Sequence, residues 1–184
     1  MKKLNLGCGN NYEEGWTNCD ISKKVKADYY FDCGKEVFPF PKNTFEEIKA
    51  EMVFEHLPDY PARVHFLKEI HRVSKKGAKI FLSVPHFSSY AAWGDLQHTR
   101  PFSSVSLDYF SVNKTHKHSI MCSQEIEGEN KLFKVEPKLV FGRLHRLLGI
   151  SFFANWKKTR LIYELLFSYI FPVRDLYFYL EAVK

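Results

Sequence analysis

The chain has 184 residues, of which 45% are hydrophobic and 26% charged, which suits one folded domain with a sizeable core and excludes disordered and fibrous classes. The net charge of +6 permits an anionic partner (phosphate, nucleic acid or a membrane surface) without demanding one. Cys8, Cys19, Cys33 and Cys122 form no C-x-x-C pair, which argues against zinc and redox motifs and for free thiols in a reducing cytoplasm.

Leu4 to Leu6 reads as a first strand running straight into Gly7-Cys8-Gly9. Glycine lets the backbone turn sharply and lets a ligand lie against the peptide groups. Thr17 to Ile21 reads as a second strand ending at Asp20, and Ala27 to Phe31 as a third ending at Asp32. Only Asn10 to Trp16 separates the first two strands. A parallel crossover usually takes about ten or more residues. The first crossover helix is therefore expected to be reduced or absent, with one face of the sheet thinly covered there.

Phe38 to Asn43 is a turn cluster, and Phe45 to Ala50 reads as a fourth strand. Asp59 with Pro61 announces a helix. Val64, Leu67, Ile70 and Val73 recur through it at helical spacing, and Lys75-Lys76-Gly77 is expected to close it. Ala78 to Val84 is a continuous apolar run suited to a central buried strand.

From His86 to about Gln124 the periodicity fades. This stretch holds His86, His98, His116 and His118 and reads as a substrate-side insertion or lid over residues 86–124. Ser103 is placed to cap a short helix through Phe110. Leu132 to Phe141 reads as a strand interrupted by Pro137, Asn155 to Ile170 as an amphipathic helix, and Leu176 to Val183 as a final strand. The most apolar run, Leu161 to Val173, contains Glu164 and falls short of the roughly 20 residues that span a bilayer. No signal peptide is expected ahead of Leu4. Strands alternating with crossovers imply a parallel sheet in a single α/β domain over residues 1–184.

The glycine loop is not a dinucleotide fingerprint: Tyr12 stands where the third glycine would be, and Asp20 comes too soon after Gly9. No G-K-[ST] follows, so it is not a Walker loop either. Gly7-x-Gly9, Asp20 and Asp32 at successive strand ends, and Glu55-His56-Leu57-Pro58 after the fourth strand together resemble the class I S-adenosylmethionine-dependent methyltransferases, particularly the branch with L-N-L-G-C-G and a downstream E-H-L. The resemblance covers roughly residues 3 to 85. It implies a Rossmann-like fold with a mostly parallel seven-stranded sheet and an antiparallel last strand. It implies that Asn5, Gly7, Cys8 and Gly9 pass beside the methionine part of S-adenosylmethionine and that Asp20 takes the ribose hydroxyls. Asp32 would take the adenine amino group beside Cys33, Ala50 would offer its carbonyl to the ammonium, and His56 would touch the cofactor or the acceptor. The chain departs from that family in Asn5, where an acid is frequent, in Asn11 for the loop's last glycine, and in lacking a helix before the first strand.

Other residues carry the acceptor side. Asp95 and His98 are three apart. They can form a base with its orienting carboxylate, two metal ligands, or an ordinary loop contact. No complete metal-ligand set is assigned. If the acceptor is a hydroxyl, His98 or His86 is the expected base, because histidine titrates near neutrality. Asp95 would orient it, and Arg100 could hold an anionic group of the acceptor. The expected activity is methyl transfer to a small molecule, a sugar or a glycan or lipid precursor. The competing enzyme reading is an RNA methyltransferase, favoured by the net charge of +6; against it stand the lack of an appended RNA-binding module and of any N-P-P-[YF] sequence. A cofactor-binding scaffold that needs a partner subunit is the non-enzyme alternative. The aromatic and basic segment around Trp156, Lys157, Arg160 and Tyr169 is a packed helix with a solvated face, a peripheral membrane contact, or a surface for base stacking with phosphate binding.

Overall fold

In a computed structural model the described residues are 1–113, 131–142, 149–157 and 159–184. One seven-stranded sheet organises them, in the order β3-β2-β1-β4-β5-β7-β6. The strands are β1 (Lys3–Leu6), β2 (Thr17–Asp20), β3 (Tyr29–Tyr30), β4 (Phe45–Glu51), β5 (Ser74–Pro85), β6 (Phe133–Val140) and β7 (Asp175–Ala182). Neighbours from β3 through β5 pair in parallel. β7 lies antiparallel between β5 and β6. This is a Rossmann-like sheet with its last strand reversed.

The alternation along the strands decides which side is core. Leu4, Leu6, Ile48, Ala50, Ile80, Leu82, Phe178 and Leu180 point to one face and are buried. That face packs on helix α1 (Tyr60–Val73), whose Phe66, Leu67, Ile70 and Val73 are fully buried. Asp59 caps α1 by accepting the Ala62 amide at 2.8 Å, and Pro61 sits in the first turn. α1 ends at Val73 and runs directly into β5, so Lys75-Lys76-Gly77 does not close it. Gly77 instead takes a φ of +75° within the strand.

The opposite face is polar. Asn5, Asn18, Lys49, Lys79, Glu181, Lys134, Glu136 and Lys138 lie on it, with Phe81, Tyr177 and Tyr179 clustered among them. Lys79, Tyr179, Lys134, Glu136 and Lys138 are exposed. Sheets with parallel pairing are usually covered on both faces; here the alternation suits a sheet with one wet side. The run Ala78 to Val84 is therefore not buried on both faces, since Lys79 faces water and Phe81 is half-buried.

The first crossover helix is absent, as are helices between β2 and β3 and between β3 and β4. Polar hydrogen bonds do the work of the first. Asn18, fully buried, accepts the Glu13 amide and the Asn5 side-chain amide and donates to the carbonyls of Glu13 and Trp16. Lys3 and Lys49 stack over the Trp16 ring, and Lys49 pairs with Glu13 and Glu51. Between β3 and β4, Phe31, Phe38 and Phe40 fill the space a helix would occupy, with ring contacts of 5.2 and 6.3 Å.

The rest of the chain departs from the sequence reading in three places. β6 is continuous through Pro137: it is an edge strand, and a missing N–H is tolerated at an edge. The helix expected over Asn155 to Ile170 is two short ones, α3 (Ile150–Asn155) and α4 (Arg160–Leu166). The break occurs where Asn155 turns its side chain to the backbone of Leu139 at the β6 edge, accepting its amide and donating to its carbonyl. Ser103 caps no helix; its carbonyl accepts the Ser106 amide in a turn before a 3-10 turn at Asp108–Phe110. Residues 86–113, the described part of the expected lid, carry only helix α2 (Tyr90–Gly94) and that turn; His116 and His118 lie outside the described residues. Among the described residues no helix is long and apolar enough to cross a membrane.

Candidate active site

Four segments meet beyond the carboxyl ends of β1 and β2, where open α/β sheets hold their ligands. The chain leaves β1 through Gly7 at φ +63° and Gly9 at φ +50°. A Cβ on Gly7 would stand 2.3 Å from Val53 Cγ2, so the close approach of the loop to the segment after β4 admits only glycine. β4 ends at Glu51, and Met52 follows it at φ +53°. This strained position for a side-chain-bearing residue turns the chain into a 3-10 turn at Phe54–His56. Phe54 anchors that turn between Phe66 and Phe102, with ring centroids 5.6 and 5.3 Å apart. Glu55 and His56 are thereby presented at the sheet's end.

The cleft that results has a volume of about 200 Å³, and Asp20, Asp32, Cys33, Val53 and His56 are in its walls. Asp20 accepts the Gly9 amide through Oδ2 and the Ser22 amide through Oδ1, each at 2.8 Å. A carboxylate has about four acceptor sites, so each oxygen keeps one for a ligand. Asp32 accepts the Gly34 amide at 2.9 Å and lies 3.7 Å from Lys35 Nζ. Burial pushes the Cys33 thiol up to about 12, with Asp32 adding to the shift, so Cys33 stands there as a neutral, apolar wall.

The remaining glycine-loop residues buttress the cleft. Asn5 donates to the Asn11 carbonyl at 3.1 Å, which ties the loop to β1. Cys8 is buried and turned away, with Sγ 3.6 Å from the Lys26 carbonyl. Ala50 is buried beside Leu6, its register partner.

Of the acceptor-side candidates, the structure brings His98, with Asp95 beside it, against His56 in the wall of this cleft. The His98 ring meets that of His56 at 4.7 Å, and its Nε2 lies 3.8 Å from Asp95 Oδ2. Thr99 fastens this loop down. Its amide and hydroxyl donate to the Glu55 carbonyl at 3.1 and 3.2 Å. Burial, then the nearby His98, pushes the His56 imidazole below its usual pKa.

His86 is not brought there. It is fully buried, with Nδ1 2.9 Å from the Ser88 hydroxyl and Nε2 3.0 Å from Glu164. Ser104 donates to the same carboxylate through its amide at 2.8 Å and its hydroxyl at 2.6 Å. Burial alone would raise the Glu164 carboxyl; the hydrogen bonds from His86 and Ser104 outweigh it and hold the group below its usual range. With both ring nitrogens engaged and no solvent access, His86 is a strut between the 86–104 segment and α4. Arg100 faces a second cleft of about 280 Å³, which it shares with Tyr60, Arg63, Phe102 and Asp108.

Sequence reasoning missed three residues that shape the site: Asn18, Glu55 and Met52. Asn is depleted in strands, so an Asn inside T-N-C-D is a signal that a polar hub is being built. Met52 carries no comparable local signal, and Glu55 was legible only as the first residue of the E-H-L motif, with no role attached.

Residues 4–82 match a family model described as a methyltransferase domain. No curated protein sequence matches the chain. Among solved structures, an S-adenosylmethionine-dependent methyltransferase from Archaeoglobus fulgidus superposes with a TM-score of 0.62 at 14% identity, over 98% of this chain and 86% of that one. A Haloferax volcanii structure, a complex between the Trm112 methyltransferase activator and a methyltransferase, gives 0.56 at 15% identity over 100% and 83%. Phosphoethanolamine N-methyltransferase 2 of Haemonchus contortus, in complex with S-adenosylmethionine, gives 0.51 at 15% identity over 100% of this chain and 49% of that one. Residues 4–82 thus match a methyltransferase domain in sequence, and the chain across its length has the fold of the S-adenosylmethionine-dependent methyltransferases.

Proposed function

We propose that this protein binds S-adenosylmethionine in the Asp20–Asp32 cleft and transfers its methyl group to a small acceptor, a sugar or a glycan or lipid precursor, presented at the His56–His98 side. The observation that carries this reading is the convergence of Asp20, Asp32 and His56 on one cleft with His98 in ring contact with His56. At about 200 Å³ the cleft is smaller than the roughly 300–1,000 Å³ of whole small-molecule pockets. It suits the adenosine: Asp20 accepts from the ribose hydroxyls and Asp32 from the adenine amino group. The methionine end runs past Gly7 and Gly9, beside the Ala50 carbonyl. The bound sulfonium supplies an electrophilic methyl group, so the protein's work is to align the acceptor and exclude water. His98, oriented by Asp95, meets the acceptor atom, and Arg100 binds an anionic part of a larger acceptor.

A lipid-linked acceptor is supported by the surface. Phe152 is 82% exposed, Tyr169 79%, Leu165 70% and Trp93 66%. Tyr169 packs on Phe87, whose carbonyl accepts the Trp93 indole N–H, which ties α2 to the segment just after α4. Exposure on that scale marks an interaction site. With Lys157 and Arg160 nearby in the chain and a net charge of +6, an anionic membrane surface is the fitting partner for a cytoplasmic protein with free cysteines at positions 8, 19 and 33. A partner subunit is the second reading. It draws on the uncovered polar sheet face and on the Trm112 complex of the Haloferax relative.

Calorimetry with S-adenosylmethionine, followed by transfer of labelled methyl to free and lipid-linked sugars, tests the proposal. Cofactor binding with turnover on a lipid-linked acceptor supports it. Cofactor binding with no turnover until a partner protein is added favours the second reading, and no cofactor binding overturns the first.

A further inference from the structure

We propose that Glu55, His56 and His98, with Asp95 at the rim, form a binding site for a single divalent cation of the kind that prefers mixed imidazole and carboxylate ligands, such as zinc, cobalt or manganese. One ligand atom from each of Glu55, His56 and His98 lies within 4.8 Å of the others. Asp95 Oδ2 stands 3.8 Å from His98 Nε2. Ligands around an ion at about 2.1 Å in a tetrahedron are about 3.4 Å apart, so side-chain rotation suffices to close the set.

A second observation points the same way. Five buried side-chain nitrogen and oxygen atoms among the described residues lack a hydrogen-bond partner, and three of them are in this cluster: both carboxylate oxygens of Glu55 and Nδ1 of His98. Glu55 is 1% exposed. Buried polar groups are nearly always satisfied, and an orphan calls for an ion or a ligand. No lysine or arginine pairs with the Glu55 carboxylate among the described residues. The charges acting on it are those of Asp95 and Asp175; burial above all raises its carboxyl to about 7, opposed by its own backbone amide and helped by these two acids. A cation would satisfy both oxygens and hold the group ionised.

The scaffold is rigid where a metal site needs it. Phe54 pins the turn that presents Glu55 and His56. Thr99, next to His98, donates to the carbonyls of Glu55 and Leu57, the latter at 2.7 Å. Two imidazoles with a carboxylate are a borderline donor set, better suited to zinc, cobalt or manganese than to calcium. His56 is also in the wall of the cofactor cleft, so the open coordination position faces the acceptor side. There the ion would bind an acceptor oxygen and lower its pKa, and His98 would serve as a ligand rather than as the proton acceptor. This last role rests on the methyl-transfer reading; binding of the ion does not.

The test is titration of the metal-stripped full chain with cobalt(II), followed by its visible absorption, and competition by zinc(II). The expected result is one equivalent of cobalt with bands of an imidazole-ligated ion, displaced by zinc. Affinity should fall at least tenfold in Glu55→Gln and in His98→Ala and stay unchanged in His65→Ala, which alters a histidine on α1 bound to the Glu36 carbonyl. Glu55→Gln is isosteric, and its melting curve confirms folding. Absence of cobalt binding, or equal affinity in all three variants, overturns the site. S-adenosylmethionine binding is measured separately on the metal-free protein: if it fails while cobalt binds, the methyl-transfer reading falls and the metal site stands.

Discussion

Asp20 Oδ2 accepts the backbone amide of Gly9 at 2.8 Å, so the acid at the tip of β2 holds the glycine loop that follows β1. One carboxylate therefore shapes the loop and faces the cleft. Asp20→Ala is expected to weaken S-adenosylmethionine binding by about 1–3 kcal/mol. Calorimetry on the folded variant checks it, and unchanged affinity would remove Asp20 from the cofactor site.

Gly7 and Val53 make a steric prediction. The 2.3 Å approach and the φ of +63° should make Gly7→Ala destabilising by about 1–3 kcal/mol for the backbone strain alone, with the clash in addition. Adding Val53→Ala should recover the clash portion and leave the φ portion. Urea denaturation of the single and double variants separates the two; full recovery would show that the backbone carries no strain.

The His86–Glu164–Ser104 network should govern stability rather than turnover. Glu164→Ala removes one partner of a buried pair, which costs about 3–5 kcal/mol. Because the folded Glu164 carboxyl lies below its usual value of 4.5, its contribution is present above that pH. It is lost as the pH falls through the folded value. A denaturation series from neutral to acid pH should show wild type losing stability over that window and the variant losing less. An unaltered acid limb would contradict this.

Asn18 replaces a helix with hydrogen bonds. Asn18→Ala leaves the Glu13 amide and the Trp16 carbonyl without their side-chain partner, and should cost about 1–3 kcal/mol for the groups left unpaired. Protection of the Glu13 amide from hydrogen exchange should fall with it. Retained protection would show that the loop holds itself.

The exposed aromatic surface predicts vesicle binding. Replacing Leu165 and Tyr169 together with serine should reduce co-sedimentation with anionic vesicles several-fold, leaving cofactor affinity untouched. Equal sedimentation of both proteins, or none by the wild type, removes the membrane from the proposal. A dimer in the wild type that dissociates in the variant would assign the patch to a second copy of the chain.

Much of the N-terminal half was legible because its signals are local. The spacing of Gly7 and Gly9 follows from the turn after β1, Asp59 and Pro61 from the chemistry of a helix start, and the short span Asn10–Trp16 from the reach needed for a crossover. Other features depend on partners far along the chain. Nothing near His86 in sequence announces Glu164, and nothing near Glu55 announces that its carboxylate stays unpaired beside His98. Pro137 read as an interruption because a local rule does not know that β6 is at an edge. The helix over Asn155 to Ile170 read as continuous because periodicity does not register that Asn155 is drawn to the Leu139 backbone.

By itself, then, the amino-acid order determined the strand-turn-acid sequence of β1 to β3, the start of α1 and the reversal of the closing strand implied by family likeness. Only the tertiary structure decided that the wet face extends beyond the first crossover to β6, that His86 is buried as a strut, and that Glu55, His56 and His98 converge. The physical reason is range: backbone turns, caps and alternation are settled within a few residues, whereas burial and the pairing of charges are settled by whatever the fold places within a few ångströms.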